Sequence, residues 1–506
     1  MNFSVAPLFS DNMVLQRNKN VRVFGECSED CADITVSVPE LDITVSGICS
    51  NGRWEALLPS MKACEKCSLA VSSGQEKILF SNVAVGEVWL AGGQSNMEFE
   101  LRHEKHGAEA LRECANENVR FYYTPKCEMV DNKLENAFRQ SGWNLPGEEN
   151  AVSWSAVGYY FAKALSRRLG VTVGIIGCNW GGTSASAWMK REYLSRDSRI
   201  SSYSEDYDKA VEGKTTAQMI AEYDEYVEYH TAWEQKMQKC YAQRPDIKWD
   251  EVLKICGENR YPGPMGCKNP MRPCGLYETM ISRVAPYTIA GFIYYQGESD
   301  DHRPEVYDVL LRNLIENWRE DWKDDTLPFM LVQLPMFKFE ADPDYKHWAK
   351  IREAQMKVYT TVKNTGIAVA LDCGEFNNIH PTDKTQVGYR LYLQAMYHVY
   401  GDSNKMKAFP PVYRDYRVCK DKIVLCFDNC DGFDVRGELN GFEIAGADGV
   451  FCSAEAEIKE NIIEIRSDKV IAPVQARFKW TNYAEVELFG KNGIPVPPFR
   501  THKEMN

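Results

Sequence analysis

No stretch of this 506-residue chain is apolar for long enough to cross a bilayer. Its hydrophobic runs reach about eight residues, where a spanning helix needs ~20. There is no surplus of positive charge either. Against 72 Asp+Glu stand 59 Lys+Arg, a formal net charge of −13, and no basic stripe interrupts the balance. That excludes the usual electrostatic footprint of a nucleic-acid binder. The opening residues, MNFSVAPLFSDNMVLQRNKN, lack a basic start, a signal-length apolar run and a small-residue cleavage site, so a cytoplasmic protein without membrane contact is expected. Cysteine is plentiful, at 17, but scattered. The one CxxC, Cys64 with Cys67, has no second pair to complete a four-thiolate zinc site, and reduced thiols are expected. The GxSxG elbow of ordinary α/β-hydrolases is also missing.

What is present is ample core material. Hydrophobic residues make up 44% and charged residues 26%, the balance of a soluble multidomain protein. Three regions differ in pattern. Residues 1–85 carry short alternating runs such as Val21–Phe24, Ile34–Val38, Ile43–Val45 and Ile78–Phe80, and predict a small β-sandwich-like domain. From residue 86 to 404, apolar runs at Val88–Ala91, Val171–Gly177, Ile289–Tyr295, Phe329–Leu334 and Ile367–Leu371 alternate with helical patterns. Ser155–Leu169, Pro304–Trp322, Trp348–Tyr359 and Gln386–Tyr400 are the clearest of these helices. The alternation predicts an α/β domain with a parallel sheet covered on both faces. A polar, helical stretch at about 196–270 reads as an insertion. Residues 405–506 return to short strands, among them Ile423–Phe427, Phe442–Ala445, Ile462–Ile465, Ala476–Trp480 and Val486–Phe489, and predict a C-terminal β domain.

In a parallel sheet the chemistry collects at the carboxyl ends of the strands. Four strand ends here carry suitable groups. The first runs into GGQSNM, where Gly92 and Gly93 permit a sharp turn that projects Ser95, a candidate nucleophile. The second ends in NWGGTSASAWM, whose Gly181 and Gly182 free backbone N–H groups for a developing oxyanion. The third ends in YYQGES. Gln296 can donate a further oxyanion hydrogen bond, and Glu298 can orient a neighbour or bind substrate. The last leads to NNIHP. Of eight histidines only His380 combines a strand-end position with a rigid loop, set by Pro381. His103 with His106 is a poor metal site without further ligands.

These blocks, with KxxVGxRL after His380, resemble the sialate O-acetylesterase family, part of the GDSL-like or SGNH hydrolase superfamily and related to acetylxylan esterases. APLFSDNMVLQR near the start and AEVELFGKNGIPVPPFRT near the end extend the likeness over nearly the whole chain. The resemblance implies a flavodoxin-like catalytic domain, no metal or other cofactor, and removal of acetyl groups from sugar hydroxyls. It makes Ser95 the nucleophile and His380 the general base, with Gly182 and Gln296 in the oxyanion hole. Gln94, Asn96, Glu298, Asn377 and Asn378 fall to substrate binding or support. One departure stands out. Many superfamily members carry an aspartate three residues before the histidine, where this chain has Asn377. Either His380 works in a dyad, oriented by a backbone carbonyl or an asparagine, or Glu298, Glu375 or Asp372 supplies the acid. The expected partner is an acetylated sugar, most readily sialic acid, with a xylan-type sugar or a non-catalytic carbohydrate-binding role as alternatives.

Overall fold

A computed structural model describes residues 3–28, 33–244 and 247–501. Its centre is a run of parallel strands in which side chains on both faces are buried, as continuous apolar runs require. In chain order these are β1 (Glu76–Gly93), β2 (Val119–Tyr123), β3 (Val173–Asn179), β4 (Gly291–Tyr295), β5 (Phe329–Gln333) and β6 (Thr365–Val369). Side by side they lie in the order β2-β3-β1-β4-β5-β6, every neighbouring pair parallel. The order reverses at β1, so the crevice for a ligand opens at its carboxyl end.

Helices cover both faces. Ala156–Leu169 begins where Ser155 Oγ accepts from the N–H of Gly158, and stops at Gly170 in the left-handed region. Tyr307–Asp321, His347–Thr361 and Thr385–His398 complete the layers. Between β3 and β4 lie the helices Ser202–Val211, Thr216–Gln243 and Trp249–Cys256. The long helix opens with a reciprocal Thr215/Gln218 capping box. Trp233, Ile247, Val252 and Cys256 form a small core of its own.

The N-terminal strands do not pack as a separate body. β1 pairs antiparallel with Cys64–Ser73 at its start and parallel with β3 and β4 at its end. The division expected at 85/86 therefore falls inside one strand, and a single apolar core runs from Phe3 to Phe409. The C-terminal strands are different. Two four-stranded sheets, one built on Lys422–Asp428 and one on Phe442–Ala445, enclose a core of their own. Among the described residues no helix is long and apolar enough to cross a membrane.

Candidate active site

The carboxyl end of β1 sets the geometry. Gly93 has φ +137, and any side chain there would strike the carbonyl of Tyr295 at the end of β4. Only glycine allows this approach. The chain then enters the short helix Ser95–Glu98. Gln94 anchors the turn, because its Oε1 accepts from the N–H groups of Gly297 (3.4 Å) and Ser299 (3.1 Å) in the loop after β4.

Ser95 and His380 meet. His380 Nε2 lies 2.8 Å from Ser95 Oγ, although 285 positions of sequence separate them. With Nε2 accepting from the hydroxyl, the ring proton belongs on Nδ1. Burial pulls the His380 pKa below its usual value. The Lys384 ammonium pushes the same way, and Glu98 opposes both. The imidazole is therefore neutral, and able to accept a proton, at pH 7.

None of the candidate acids touches the ring. Glu375 accepts from Thr382 N (2.7 Å), Thr382 Oγ1 (3.1 Å) and Asn378 Nδ2 (2.7 Å). Asp372 forms a two-pronged pair with Arg390, at 2.5 and 2.8 Å. Glu298 accepts from Asn96 Nδ2 at 2.6 Å. The asparagines also face away: Asn378 Oδ1 accepts the N–H of His380 (3.1 Å), and Asn377 Oδ1 accepts that of Glu340 (3.2 Å). Among the described residues the one hydrogen bond to the His380 ring is that to Ser95.

Beneath Ser95 lies a buried polar knot. Asn96, wholly buried, donates to Glu298 and to the carbonyl of Ile379 (3.0 Å), and accepts from Lys384 Nζ (2.6 Å). Its amide dipole thus points the NH₂ end at an acid and the oxygen at a cation. Burial raises the Glu298 pKa, and pulls that of Lys384 down to about 8.

For the oxyanion, the N–H groups of Ser95 and Gly182 have no hydrogen-bond partner among the described residues. Gly182 sits at φ +73, where a side chain would run into Tyr261 Oη and the end of Met271. Gln296 needs a correction. It is buried, its Nε2 donates to Thr183 O (3.2 Å) and Asp300 Oδ2 (2.6 Å), and its Oε1 accepts from Tyr307. Both amide hydrogens are committed, so the geometry leaves no donor for an oxyanion. Its partner Asp300 also receives Ser184 Oγ, Ala185 N and Tyr203 Oη, and so fixes the turn that carries Gly182.

Residues 85–258 and 268–397 match the carbohydrate esterase family described as sialic acid-specific acetylesterase. The chain belongs to this family. It is 24% identical to the sialate O-acetylesterase of Homo sapiens over 541 residues, 98% of this chain and 92% of that one. With the sialate O-acetylesterase of Mus musculus it shares 24% identity over 440 residues, 79% and 74% of the two chains. A solved carbohydrate acetylesterase from Xanthomonas citri superposes with a TM-score of 0.78 at 30% identity, covering 99% of both chains. The α/β architecture of this esterase, with its further β sheets, is thus that of a carbohydrate acetylesterase.

Lys384, Glu98 and Asp300 escaped the reading of the residues. Lys384 alone had a signal, as the first residue of KxxVGxRL. Among the described residues no group of three or more His, Cys, Asp or Glu is arranged to hold a metal.

Proposed function

We propose that this esterase removes O-acetyl groups from sugar hydroxyls with Ser95 as nucleophile and His380 as base. The 2.8 Å approach of His380 Nε2 to Ser95 Oγ carries the reading. His380 takes the hydroxyl proton as Oγ attacks the acetyl carbonyl. The N–H groups of Ser95 and Gly182 receive the oxyanion. His380 then returns the proton to the departing sugar oxygen and leaves an acetyl-serine. Water, deprotonated by His380, attacks that ester and releases acetate. Membership of the family and the match to a carbohydrate acetylesterase support the reaction class. The parallel strand order with its switch at β1 supports an SGNH-type catalytic region at 86–404, with an insertion at about 196–270 and β regions at 1–85 and 405–506.

The test is turnover of p-nitrophenyl acetate and acetate release from acetylated sialic acids and xylo-oligosaccharides. Ser95→Ala is expected to remove both activities. A wild-type protein that binds these sugars but releases no acetate would move the chain to the non-catalytic reading.

A further inference from the structure

Two of the helices between β3 and β4 pack on each other, apart from the main core. Thr216–Gln243 presents Trp233, Met237 and Cys240 at helical spacing, and they share a small core with Val252 and Cys256 of Trp249–Cys256. Four side chains in that core are buried. The second helix has eight residues, fewer than the ~12–15 an isolated helix needs. A core this small is where a covalent staple adds most.

The parts of a staple are in place. Cys240 Sγ lies 3.9 Å from Cys256 Sγ, across 16 positions of sequence. Both are thiols, Cys240 half-buried and Cys256 buried. A disulfide spans ~2.05 Å, a difference that rotation about the two Cα–Cβ bonds covers.

The same helix holds the chain that follows Cys256. Trp233 Nε1 donates to Gly257 O (2.9 Å), and Tyr229 Oη donates to Glu258 O (2.5 Å). The Arg260 guanidinium lies 4.1 Å from the centre of the Tyr229 ring. Next comes Tyr261, whose Oη stands where a side chain on Gly182 would go. Cys256 is thus the root of a short strap that ends on the Gly182 turn.

We propose that Cys240 and Cys256 are a redox site: a low-molecular-weight disulfide, oxidised glutathione, closes them into a cystine, and closure pins the strap that sets Tyr261 against Gly182. The half-buried Cys240 meets the oxidant first. Its thiolate attacks one glutathione sulfur, the S–S bond of the oxidant breaks, and one glutathione leaves as a thiolate that takes up a proton. Cys256 loses its proton to solvent, attacks the Cys240 sulfur of the mixed disulfide and expels the second glutathione. In sum two protein thiols are oxidised to one cystine, and one glutathione disulfide is reduced to two thiols. This site goes beyond the esterase reading, and formation of the cystine does not depend on it.

Full-length protein is held in reduced or in oxidised glutathione, remaining thiols are blocked, and its peptides are mapped by mass. A Cys240–Cys256 cystine is expected in the oxidised protein alone, and dithiothreitol reopens it. Limited trypsin digestion of the native protein then reads the strap. Arg244, Lys254 and Arg260 are exposed, and cleavage beside them requires local opening. Cleavage is expected to run at least tenfold slower in oxidised than in reduced wild type, with no such difference in Cys240→Ser. Glutathione carried on separate thiols, with no cystine between these two, overturns the redox site. A cystine that leaves the cleavage rate unchanged, or an equal slowing in Cys240→Ser, overturns the pinning. Turnover of p-nitrophenyl acetate by the untreated protein tests the esterase reading separately.

Discussion

Replacing Asn96 with alanine would cut the knot beneath Ser95, and its cost can be worked out from three bonds. Two of them, to Glu298 and from Lys384, are 2.6 Å long and involve charged groups. Such bonds are worth ~1.5–3 kcal/mol each, and the third, to Ile379 O, about 1 kcal/mol. The bond from Asn96 is the one side-chain hydrogen bond that Glu298 receives among the described residues. Its loss leaves a buried acid with nothing in exchange. Asn96→Ala should therefore lose about 4–7 kcal/mol, a large part of the ~5–15 kcal/mol that holds a protein folded. Urea unfolding followed by tryptophan fluorescence measures the loss. Turnover of p-nitrophenyl acetate should fall too, because Asn96 ties the serine helix to the carbonyl just before His380. Asn96→Asp separates charge from shape. It keeps an acceptor for Lys384 but sets a carboxylate against Glu298, and two carboxylates at that range cannot both ionise. One pKa must rise in the folded state. The fold then binds more protons than the unfolded chain above the ordinary carboxylate pKa of ~4, so stability falls as pH rises through the window up to the raised value. Asn96→Asp should accordingly be closer to wild type at pH 5 than at pH 8. An alanine variant within about 1 kcal/mol of wild type and equally active would refute the argument, since a residue with those three bonds cannot be removed so cheaply.

Ser95→Ala and His380→Ala should each abolish nearly all turnover, and the double variant should be little worse than either single one, because groups acting as a unit lose activity together; multiplicative losses would show two independent roles. In a pH series, kcat/KM should rise with pH through an inflection below the usual histidine value of ~6.5, since burial and Lys384 both depress the His380 pKa. Lys384→Met should move that inflection upward, and a downward shift would remove Lys384 from the account. Gly182→Ala forces a side chain into left-handed backbone, at ~1–2 kcal/mol, and against Tyr261; kcat should drop by ~10²-fold or more with KM little changed, as for a lost oxyanion donor, and a loss confined to KM would assign the turn to substrate binding. Asp372→Asn, Glu375→Gln and Glu298→Gln should each stay within about tenfold of wild-type kcat/KM, whereas a ~10⁴-fold collapse in one of them would identify a hidden triad acid.

Much of this architecture was legible because buried parallel strands leave an unbroken apolar signature. β4 and β5 read directly from FIYY and FMLV. β2 did not, because its sequence, VRFYY, places Arg120 at its second position. That guanidinium is buried, where it donates to the carbonyls of Asn12 and Asn82, so a charge that looks like a loop holds two segments together. The change of pattern read at 85/86 has its cause in β1 itself. Its burial alternates from Glu76 to about Asn82 and is continuous from Val83 onward. One strand thus leaves a two-sided edge region and enters a sandwiched sheet, and the change of period mimics a boundary. The pairing of Ser95 with His380 was readable from strand-end positions. Gln296 was misassigned because the acceptor for its amide, Asp300, sits in a 3₁₀ turn that no periodicity reveals. Lys384 was missed for a related reason: a lysine is usually solvated, and here its burial is fixed by Asn96 and by the rings of Phe99 and Tyr295 at 4.8 and 5.7 Å.

The missing acid is intelligible once the two tasks of a triad carboxylate are separated. One is to hold the imidazole in place; the other is to stabilise it when protonated. If His380 is the base, the first task falls to hydrogen bonds on the backbone on both sides of it. Asn378 takes the N–H of His380, Asn96 takes the carbonyl of Ile379, and Glu375 clamps Thr382 and Asn378 together. Pro381 stiffens the link between them. Four side chains thus restrain one short loop, and the ring needs no further anchor to meet Ser95 at 2.8 Å. The second task is left undone. Burial and the Lys384 charge disfavour the imidazolium, so under the proposed mechanism His380 would be a weaker base than a triad histidine, although neutral at pH 7. Under the proposed mechanism the transition state would draw more of its stabilisation from the oxyanion side, where the Ser95 and Gly182 N–H groups have no hydrogen-bond partner among the described residues. An acetyl ester makes this division workable. Its alkoxide leaving group needs a proton only as the bond breaks, and in the proposed mechanism the proton that His380 has just taken from Ser95 would lie at that point.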